Sequence, residues 1–255
     1  MRLDHYLALS SIGTKKKVRE YIYAGQVTIN SALCNIPATE VQDTDIVCYQ
    51  GTIISPAPVY YLLHKPQGCI TARSTDEPTI FDCFSNIDTT GLFAVGRLDK
   101  DTEGLLIVTN DGLLSNQLMA PANHVPKTYF FMSLGILKEE QIQELELGVD
   151  IGYHALTTPA QVTLLETGSY MKLANIIGID KVRQTKKRPT DQQATLGLIT
   201  IVEGKKHQVK RMLRHVGCPI VYLKRISIGS IVLPKDLPAG SYCEVSFASI
   251  ASKLS

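Results

Sequence analysis

GRLDKDTEGLLIVTNDG, residues 96–112, joins a polar loop to an apolar run of strand length. Residues 92–95 before the loop and 105–109 after it are predicted strands, and residues 110–112 form a turn signal. The loop itself, residues 96–104, is polar and bounded by glycine at both ends. A polar loop between two buried strands indicates a functional site, because loops held by a rigid scaffold often carry chemistry.

Two interpretations of this loop compete. In the first it binds calcium, since Asp99, Asp101, Glu103 and Gly104 match the first, third, fifth and sixth positions of an EF-hand loop. That match fails at the twelfth position, where Asn110 replaces the bidentate glutamate, and the flanking segments are strands rather than helices. In the second interpretation the loop presents a catalytic aspartate beside an arginine, and we favour it.

The clearest predicted helix lies late in the chain and carries a basic face. Its apolar positions follow helical spacing: Val209, Met212, Leu213 and Val216. The opposite face holds the basic side chains Lys210, Arg211, Arg214 and His215. Gly217 and Pro219 end the helix. This pattern predicts a basic helix whose apolar side packs against a sheet.

Charge is distributed unevenly along the 255 residues, although the net charge is only +2. Residues 181–225 contain twelve basic and two acidic side chains, whereas the rest of the chain is net acidic. A second basic cluster lies near the start: Arg2, Lys15, Lys16, Lys17 and Arg19. Two basic clusters on an otherwise acidic chain favour a polyanionic partner such as nucleic acid.

The sequence of residues 1–55 predicts a small module that is separate from the rest of the chain. Helices are expected near residues 3–7 and at 15–24, with Thr14 as the N-cap, followed by a strand at 27–29 and a turn at Asn30 and Ser31. The proline-containing segment 55–58 is the predicted linker. Beyond it the patterns predict strands and helices, the strands at 60–63, 128–133 and 196–202 and the helices at 113–119 and 139–147. Residues 179–194 are polar and basic, and we expect a loop between two strands there.

Several classes of protein are not expected from this composition. No apolar run approaches the ~20 residues of a membrane-spanning helix, and the start of the chain lacks the apolar core of a secretory signal, so we expect a cytoplasmic protein. The six cysteines form no Cys-x-x-Cys pair and no zinc-finger spacing, which favours free thiols and no metal site.

Five sequence motifs together resemble one enzyme family, the RsuA-type RNA pseudouridine synthases. The loop string at 96–112 resembles the family's signature loop, and the other matching strings are YYLLHKPQG (60–68), KTYFF (127–131), EGKKHQVKRML (203–213) and LKRISIG (223–229). The strings MRLDHYLA (1–8) and KKVREYIYAGQVTIN (16–30) are similar to an S4 RNA-binding domain. These motifs occur in the family's order over nearly the whole chain.

The resemblance implies an α+β fold, with a small S4 domain at residues 1–55. A larger catalytic domain at 59–255 would be built on a mixed, mainly antiparallel sheet flanked by helices. It also implies that Asp99 is the catalytic aspartate, Tyr129 packs against the target base, and Lys210 pairs with Asp99 where many relatives carry arginine. Asp101 is expected to be a structural carboxylate that pairs with backbone amides or Thr102.

The residues expected to contact RNA are basic. The resemblance implies that Arg97 helps to hold the target nucleotide out of the stack. Phosphate contacts are expected from Lys205, Lys206, Arg211, Arg214, Lys15, Lys16 and Arg19. His207 and His215 are expected to be RNA-facing or surface groups.

The implied reaction is isomerisation of uridine to pseudouridine in 16S ribosomal RNA, with the target base flipped out. The rearrangement needs no cofactor, because it involves no redox change and no group transfer. Two alternatives remain open at this stage: a large-subunit (23S) ribosomal RNA target, or a non-catalytic RNA-binding factor in ribosome assembly. We expect ribosomal RNA as the partner, no membrane association, and a monomer.

Overall fold

The computed structural model describes residues 1–152, 156–178, 180–182 and 192–251. The N-terminal module begins with two helices, α1 (Leu3–Leu9) and α2 (Lys15–Tyr23). Within residues 1–54 a small antiparallel sheet follows, in the order β2-β1-β3-β4. Its strands are β1 (Val27–Ile29), β2 (Ala32–Leu33), β3 (Val47–Tyr49) and β4 (Thr52–Ile54).

Local sequence explains this module. The Thr14 side chain caps α2 by accepting a hydrogen bond from the Lys17 amide at 3.3 Å. Val18 and Ile22, one turn apart on α2, are buried in the module's own apolar core. Asn30 has a positive φ and Ser31 another, as a tight hairpin turn requires. The predicted helices, strand and turn are therefore confirmed.

The larger part of the chain is built on one sheet. Among the described residues this sheet has nine strands, ordered β13-β5-β7-β11-β8-β10-β9, with β6 paired to β7 and β12 to β11. The strands are β5 (Tyr60–Lys65), β6 (Phe93–Val95), β7 (Glu103–Thr109), β8 (Lys127–Leu134), β9 (Gln161–Ser169), β10 (Gln193–Ile201), β11 (Ile220–Ile228), β12 (Ile231–Val232) and β13 (Tyr242–Glu244). All neighbours pair antiparallel except β7 and β11, which pair parallel. The predicted mixed, mainly antiparallel sheet is confirmed.

Helices cover this sheet. They are α3 (Gly112–Met119), α4 (Glu139–Leu147), α5 (Tyr170–Ile177), α6 (Gln208–His215) and α7 (Phe247–Ala251). The apolar side of α6 is buried in a core cluster with side chains of β8, β10 and β11, as the helical spacing predicts. In the part of the chain that the structure describes, no helix is both long and apolar enough to span a bilayer.

The expected loop at residues 179–194 is partly wrong. The chain enters this region from α5 and not from a strand, and Gln193 and Ala194 already belong to β10. Residues 179 and 183–191 lie outside the described residues. The six cysteines are all free thiols, as expected.

Candidate active site

The polar segment 96–104 runs from β6 into β7, and glycines mark both of its ends. The predicted loop is two residues too long, because β7 already begins at Glu103. Gly96 and Gly104 have φ values of 71° and 115°, in the region that favours glycine. At Gly104 the backbone of β11 is so close that an added Cβ would lie 2.2 Å from the Arg225 carbonyl oxygen. This contact is the parallel pairing of β7 with β11, so it places the end of the loop beside the basic C-terminal motif.

A buried lysine side chain holds the backbone of this loop through hydrogen bonds. The Lys65 side chain is fully buried, and its Nζ donates to the carbonyl oxygens of Pro66 and Thr102, each at 3.0 Å. A longer contact of 3.5 Å reaches the carbonyl oxygen of Lys100, which also accepts from the Gly68 amide at 2.8 Å. Burial lowers the pKa of the Lys65 ammonium, while nearby carboxylates oppose that shift. The Lys-Pro-x-Gly turn thus fixes the backbone around the loop's acidic residues.

Thr71 adds a second support next to Asp99. Its hydroxyl donates to the Leu98 carbonyl oxygen at 2.7 Å and accepts from the Leu98 amide at 3.1 Å. The Leu98 side chain is buried in the core beneath α6. Both backbone groups of the residue before Asp99 are therefore held by one side chain, which restricts where the Asp99 carboxylate points.

Replacing Lys65 by Met is expected to loosen this loop. The substitution keeps an apolar stem but leaves the buried carbonyls of Pro66 and Thr102 without their donor. We expect the free energy of unfolding to fall by about 2–4 kcal/mol. Turnover should fall by about 10–100-fold, because Asp99, the predicted catalytic carboxylate, is less well positioned. Thermal unfolding and steady-state kinetics check both values.

Lys100→Met is the matched control for this substitution. Lys100 belongs to the same loop but is exposed, and its ammonium pairs with Glu77 at the surface. Such a pair contributes about 0–1 kcal/mol. Equal losses of stability and turnover in the two variants would show that the buried contacts of Lys65 do not support the loop.

Asp99 lies at the centre of a cluster of charged side chains. Its Oδ2 is 2.8 Å from Lys210 Nζ, and its Oδ1 is 3.5 Å from His207 Nε2. Lys210 Nζ also contacts the Asp101 carboxylate. Asp99 is 27% exposed and Asp101 63%, so Asp99 is the more enclosed of the two carboxylates. The structure therefore brings Asp99 and Lys210 together as predicted, and Asp101 shares the same ammonium.

The calcium-loop interpretation does not fit this geometry. Asp99 and Asp101 already share the ammonium of Lys210. Glu103 is buried and accepts from the Tyr222 hydroxyl at 3.0 Å. Burial acts to raise the pKa of Glu103, but hydrogen bonds from His64 and Tyr222 outweigh it and hold that pKa below its usual range. Among the described residues, no group of three or more His, Cys, Asp or Glu side chains is arranged to hold a metal ion.

An open cleft lies next to the Asp99 carboxylate. Leu98, Tyr129, Val209 and Leu223 line it with largely apolar side chains, and Arg97 is exposed at its edge. Tyr129 is 8% exposed and lies on β8, where it pairs across the sheet with Ile199 of β10. The cleft thus joins a carboxylate, an aromatic ring and an exposed arginine.

The start of α6 places His207 beside Asp99, a contact that the sequence did not predict. His207 precedes the helix with a φ of 53°, which is unfavourable for a residue with a Cβ, and its ring is directed at Asp99. Gln208 stabilises this turn because its Nε2 donates to Glu203 at 2.7 Å and its Oε1 accepts from the Lys205 amide at 2.8 Å. His207 lies at the surface, one of the two predicted positions, with its side chain 50% exposed. Sequence spacing alone gave no signal that it meets Asp99.

The other predicted basic residues lie around the cleft and on α2. Lys205 lines the cleft and pairs with Glu203 at 3.1 Å, while Lys206 and Arg214 are exposed. Arg211 is partly buried beside Gly152.

The basic residues of the N-terminal module differ in their exposure and in their contacts with carboxylates. Lys15 and Lys16 of α2 are exposed. Arg19 is tied by its Nη2 to the buried Asp4 carboxylate at 2.7 Å, and Arg2 contacts the same carboxylate. Arg19 thus keeps a partly exposed guanidinium in a fixed orientation and is not a freely mobile phosphate ligand.

Comparison with known proteins assigns the family. The profile of the family described as RNA pseudouridylate synthase matches residues 59–215, which include Asp99, Tyr129 and Lys210. The chain belongs to this family. It is an RNA pseudouridine synthase of the RsuA type, an isomerase, as its motifs predict.

Relatives of this pseudouridine synthase align over nearly its whole length. It is 35% identical to the RNA pseudouridine synthase YtzG of Bacillus subtilis, over 96% of the chain and 95% of the relative. It is 29% identical to the ribosomal small subunit pseudouridine synthase A of Vibrio cholerae, over 99% of both chains. It is also 32% identical to the ribosomal large subunit pseudouridine synthase B of Bacillus subtilis, over 88% of the chain and 84% of the relative.

A solved structure supports the same assignment. A crystal structure of a pseudouridylate synthase superimposes on the synthase with a TM-score of 0.65 at 28% sequence identity, and all of both chains is covered. The predicted α+β fold class is confirmed at the level of the whole chain.

Proposed function

We propose that this synthase converts uridine to pseudouridine in 16S ribosomal RNA, with Asp99 as the catalytic carboxylate. The observation that carries the proposal is the position of Asp99, held by Lys210 at 2.8 Å beside the cleft that contains Tyr129. A carboxylate acts as nucleophile or base only when it is ionised, and a paired ammonium is compatible with that state.

The proposed reaction is an internal rearrangement of one nucleotide. The N1–C1′ bond breaks, the base turns, and a C5–C1′ bond forms. The proton on C5 is lost and N1 gains one, so atoms and electrons balance without an oxidant, a reductant or a cofactor. The chain needs only to extract the base, hold it, and provide a charged carboxylate beside the sugar and base.

Tyr129, Arg97 and Lys210 have separate proposed roles. A flipped base needs a flat apolar surface, and the Tyr129 ring lies in the cleft wall next to Asp99. Arg97 is exposed at the cleft edge, where a guanidinium can occupy the space that the extruded base leaves in the RNA. Lys210 pairs with Asp99, and its second contact to Asp101 orients the ammonium.

Phosphate contacts are proposed from the exposed basic residues around the cleft and on α2. Lys206 and Arg214 are exposed at the surface, whereas Lys205 forms an ion pair with Glu203. Unstacking a base costs a few kcal/mol, and contacts to several phosphates offset that cost.

We propose that the chain works as a monomer in the cytoplasm, where ribosomal RNA is found.

The small-subunit target is supported by the MRLD start and the KTY triplet at 127–129, which most resemble the small-subunit enzymes of the family. It is also supported by the alignment with a small-subunit synthase over 99% of both chains. A large-subunit target is the second candidate, because a relative named for the large subunit is 32% identical. Incubation of the enzyme with deproteinised and partly assembled RNA of both subunits, followed by mapping of pseudouridine, separates the candidates. Pseudouridine formed in 16S RNA alone supports the proposal. Pseudouridine formed only in 23S RNA would show that the substrate is the large-subunit RNA.

Deleting residues 1–55, the proposed S4-like domain, is expected to leave the catalytic domain folded. The N-terminal module has its own apolar core, distinct from the cores of the large sheet. The deletion removes some hydrogen bonds at the junction, and we expect about 1–3 kcal/mol of lost stability. RNA affinity should fall by about tenfold or more, because basic contacts are lost. Circular dichroism, thermal unfolding and filter binding check this.

The double substitution of Lys15→Gln and Lys16→Gln in the full chain is the control for this deletion. It should weaken RNA binding without changing the unfolding temperature, because both side chains are exposed. Aggregation of the shortened chain would place the domain boundary elsewhere.

A further inference from the structure

A buried amide side chain connects the N-terminal module to the catalytic domain. The Asn110 side chain, just after β7, is 1% exposed. Its Nδ2 donates to the carbonyl oxygens of Leu9 at 2.8 Å and Ala57 at 3.0 Å. Its Oδ1 accepts from the Val59 amide at 3.0 Å. One side chain thus bonds the end of α1, the linker, and the residue that precedes β5.

The same corner has further contacts: Asn110 Nδ2 also donates to Ser11 Oγ at 3.2 Å, and a Cβ added at Gly91 would lie 3.4 Å from Ser11 Cα. The backbone joins the same segments once more, since the Ala57 amide donates to the Leu9 carbonyl oxygen at 3.0 Å. Next to this corner is an open gap of about 690 Å³, lined by α1 and α2 on one side and by β6 and α3 on the other. Because the two modules are separated by this gap, their relative orientation depends strongly on the bonded corner around Asn110.

The geometry of this corner also affects how the N-terminal module is oriented relative to the active site. Asn110 follows one end of β7, and the loop that carries Asp99 enters β7 at the other end. Seven residues of strand span roughly 20 Å. The exposed Lys15 and Lys16 of α2 lie on the module that this corner holds. A small rotation at Asn110 therefore displaces the basic surface of α2 relative to Asp99.

We propose that Asn110 is a positioning residue that sets the distance and orientation between the basic surface of α2 and the catalytic cleft. The proposal rests on the proposed function, because it assumes that one RNA contacts both places. Two surfaces held at a fixed separation favour an RNA whose phosphates match that separation, and linking them raises affinity by about 10²–10⁴-fold. Asn110 would thereby contribute to the choice of RNA without touching the reacting nucleotide.

The test compares two RNAs with the Asn110→Ala variant in the full chain. The long RNA is the ribosomal RNA that the wild type modifies, and the short RNA is the stem-loop with the target uridine, which fills only the cleft. We expect KM for the long RNA to rise by about 10–100-fold with kcat within about twofold, and both constants for the short RNA to stay unchanged. Hydrogen exchange of the Ala57 and Val59 amides should become faster, which verifies that the junction has loosened.

Asn116→Ala is the control, because Asn116 is an exposed asparagine on α3 that lines the same gap. It should leave KM for both RNAs at the wild-type value.

Asn110→Asp is the second variant in case the alanine variant does not fold. It keeps the acceptor for the Val59 amide but sets an oxygen against the Leu9 and Ala57 carbonyls, so the same rise in KM for the long RNA alone is expected.

Two results would overturn the proposal. Unchanged KM for the long RNA, despite faster exchange at Ala57 and Val59, would show that orientation does not matter. Equal losses with both RNAs, or a fall in kcat, would show that Asn110 only stabilises the fold. If the wild type modifies no ribosomal RNA, the proposed function fails, and the ratio of filter-binding affinities for the two RNAs still tests the positioning role.

Discussion

Asp99→Asn is expected to reduce pseudouridine formation by about 10⁴-fold or more. Asparagine has the same shape and can still accept a hydrogen bond from Lys210, but it cannot act as a charged nucleophile or base. RNA affinity should stay within about threefold of the wild type, because the basic residues are unchanged. Single-turnover assays of pseudouridine formation, together with filter binding, measure both quantities.

Asp101→Asn is the matched control for this substitution. Asp101 shares the Lys210 ammonium but is more exposed than Asp99 and lies outside the lining of the cleft. We expect this variant to retain activity within about tenfold. If Asp99→Asn stays active and Asp101→Asn does not, the catalytic role belongs to Asp101.

Gly104→Ala is the substitution with the largest expected effect on stability. Its Cβ would lie 2.2 Å from the Arg225 carbonyl oxygen and 2.6 Å from the Arg225 amide nitrogen, and both are backbone atoms that cannot rotate away. The φ of 115° adds strain for any residue other than glycine. We expect about 4 kcal/mol or more of lost stability, and hence a fall in Tm of roughly 10 °C. Activity should be lost as well, because the parallel pairing of β7 with β11 holds the Asp99 loop beside the C-terminal motif.

Gly112→Ala tests whether this loss is specific. Gly112 is the first residue of α3, it has no positive φ, and an added Cβ there would meet no atom within 4 Å. Alanine favours helix by about 1 kcal/mol over glycine, so this variant should be as stable as the wild type or more so. A Gly104→Ala variant that unfolds at the wild-type temperature would contradict the close approach of β7 and β11.

Much of the fold could be predicted because it depends on local periodicity. The apolar spacing from Val209 to Val216 predicts α6 correctly, and the Thr14 cap marks the start of α2. The strand β9 was missed because it is an edge strand of the sheet with mostly exposed side chains, so no buried face produces a pattern of period two. The strand β11 was missed because Lys224 and Arg225 interrupt its run of apolar residues.

The site was predicted in part. Asp99, Tyr129, Lys210 and Arg97 were identified from motifs, and the structure places all four at one cleft. His207 was not identified as a neighbour of Asp99, because its approach depends on a left-handed turn before α6 that spacing does not reveal.

The amino-acid sequence by itself determined the local elements, the glycine-bounded polar loop, and the family, because each of these is written in residues that are adjacent or periodic. Only the tertiary structure decided that Lys210 joins Asp99 to Asp101, that Lys65 supports the loop from beneath, and that Asn110 connects the two modules. Those contacts link segments far apart in the chain, and they exist because β7 lies between β5 and β11 in the sheet. Strand order arises from the packing of the whole sheet, and no single segment encodes it.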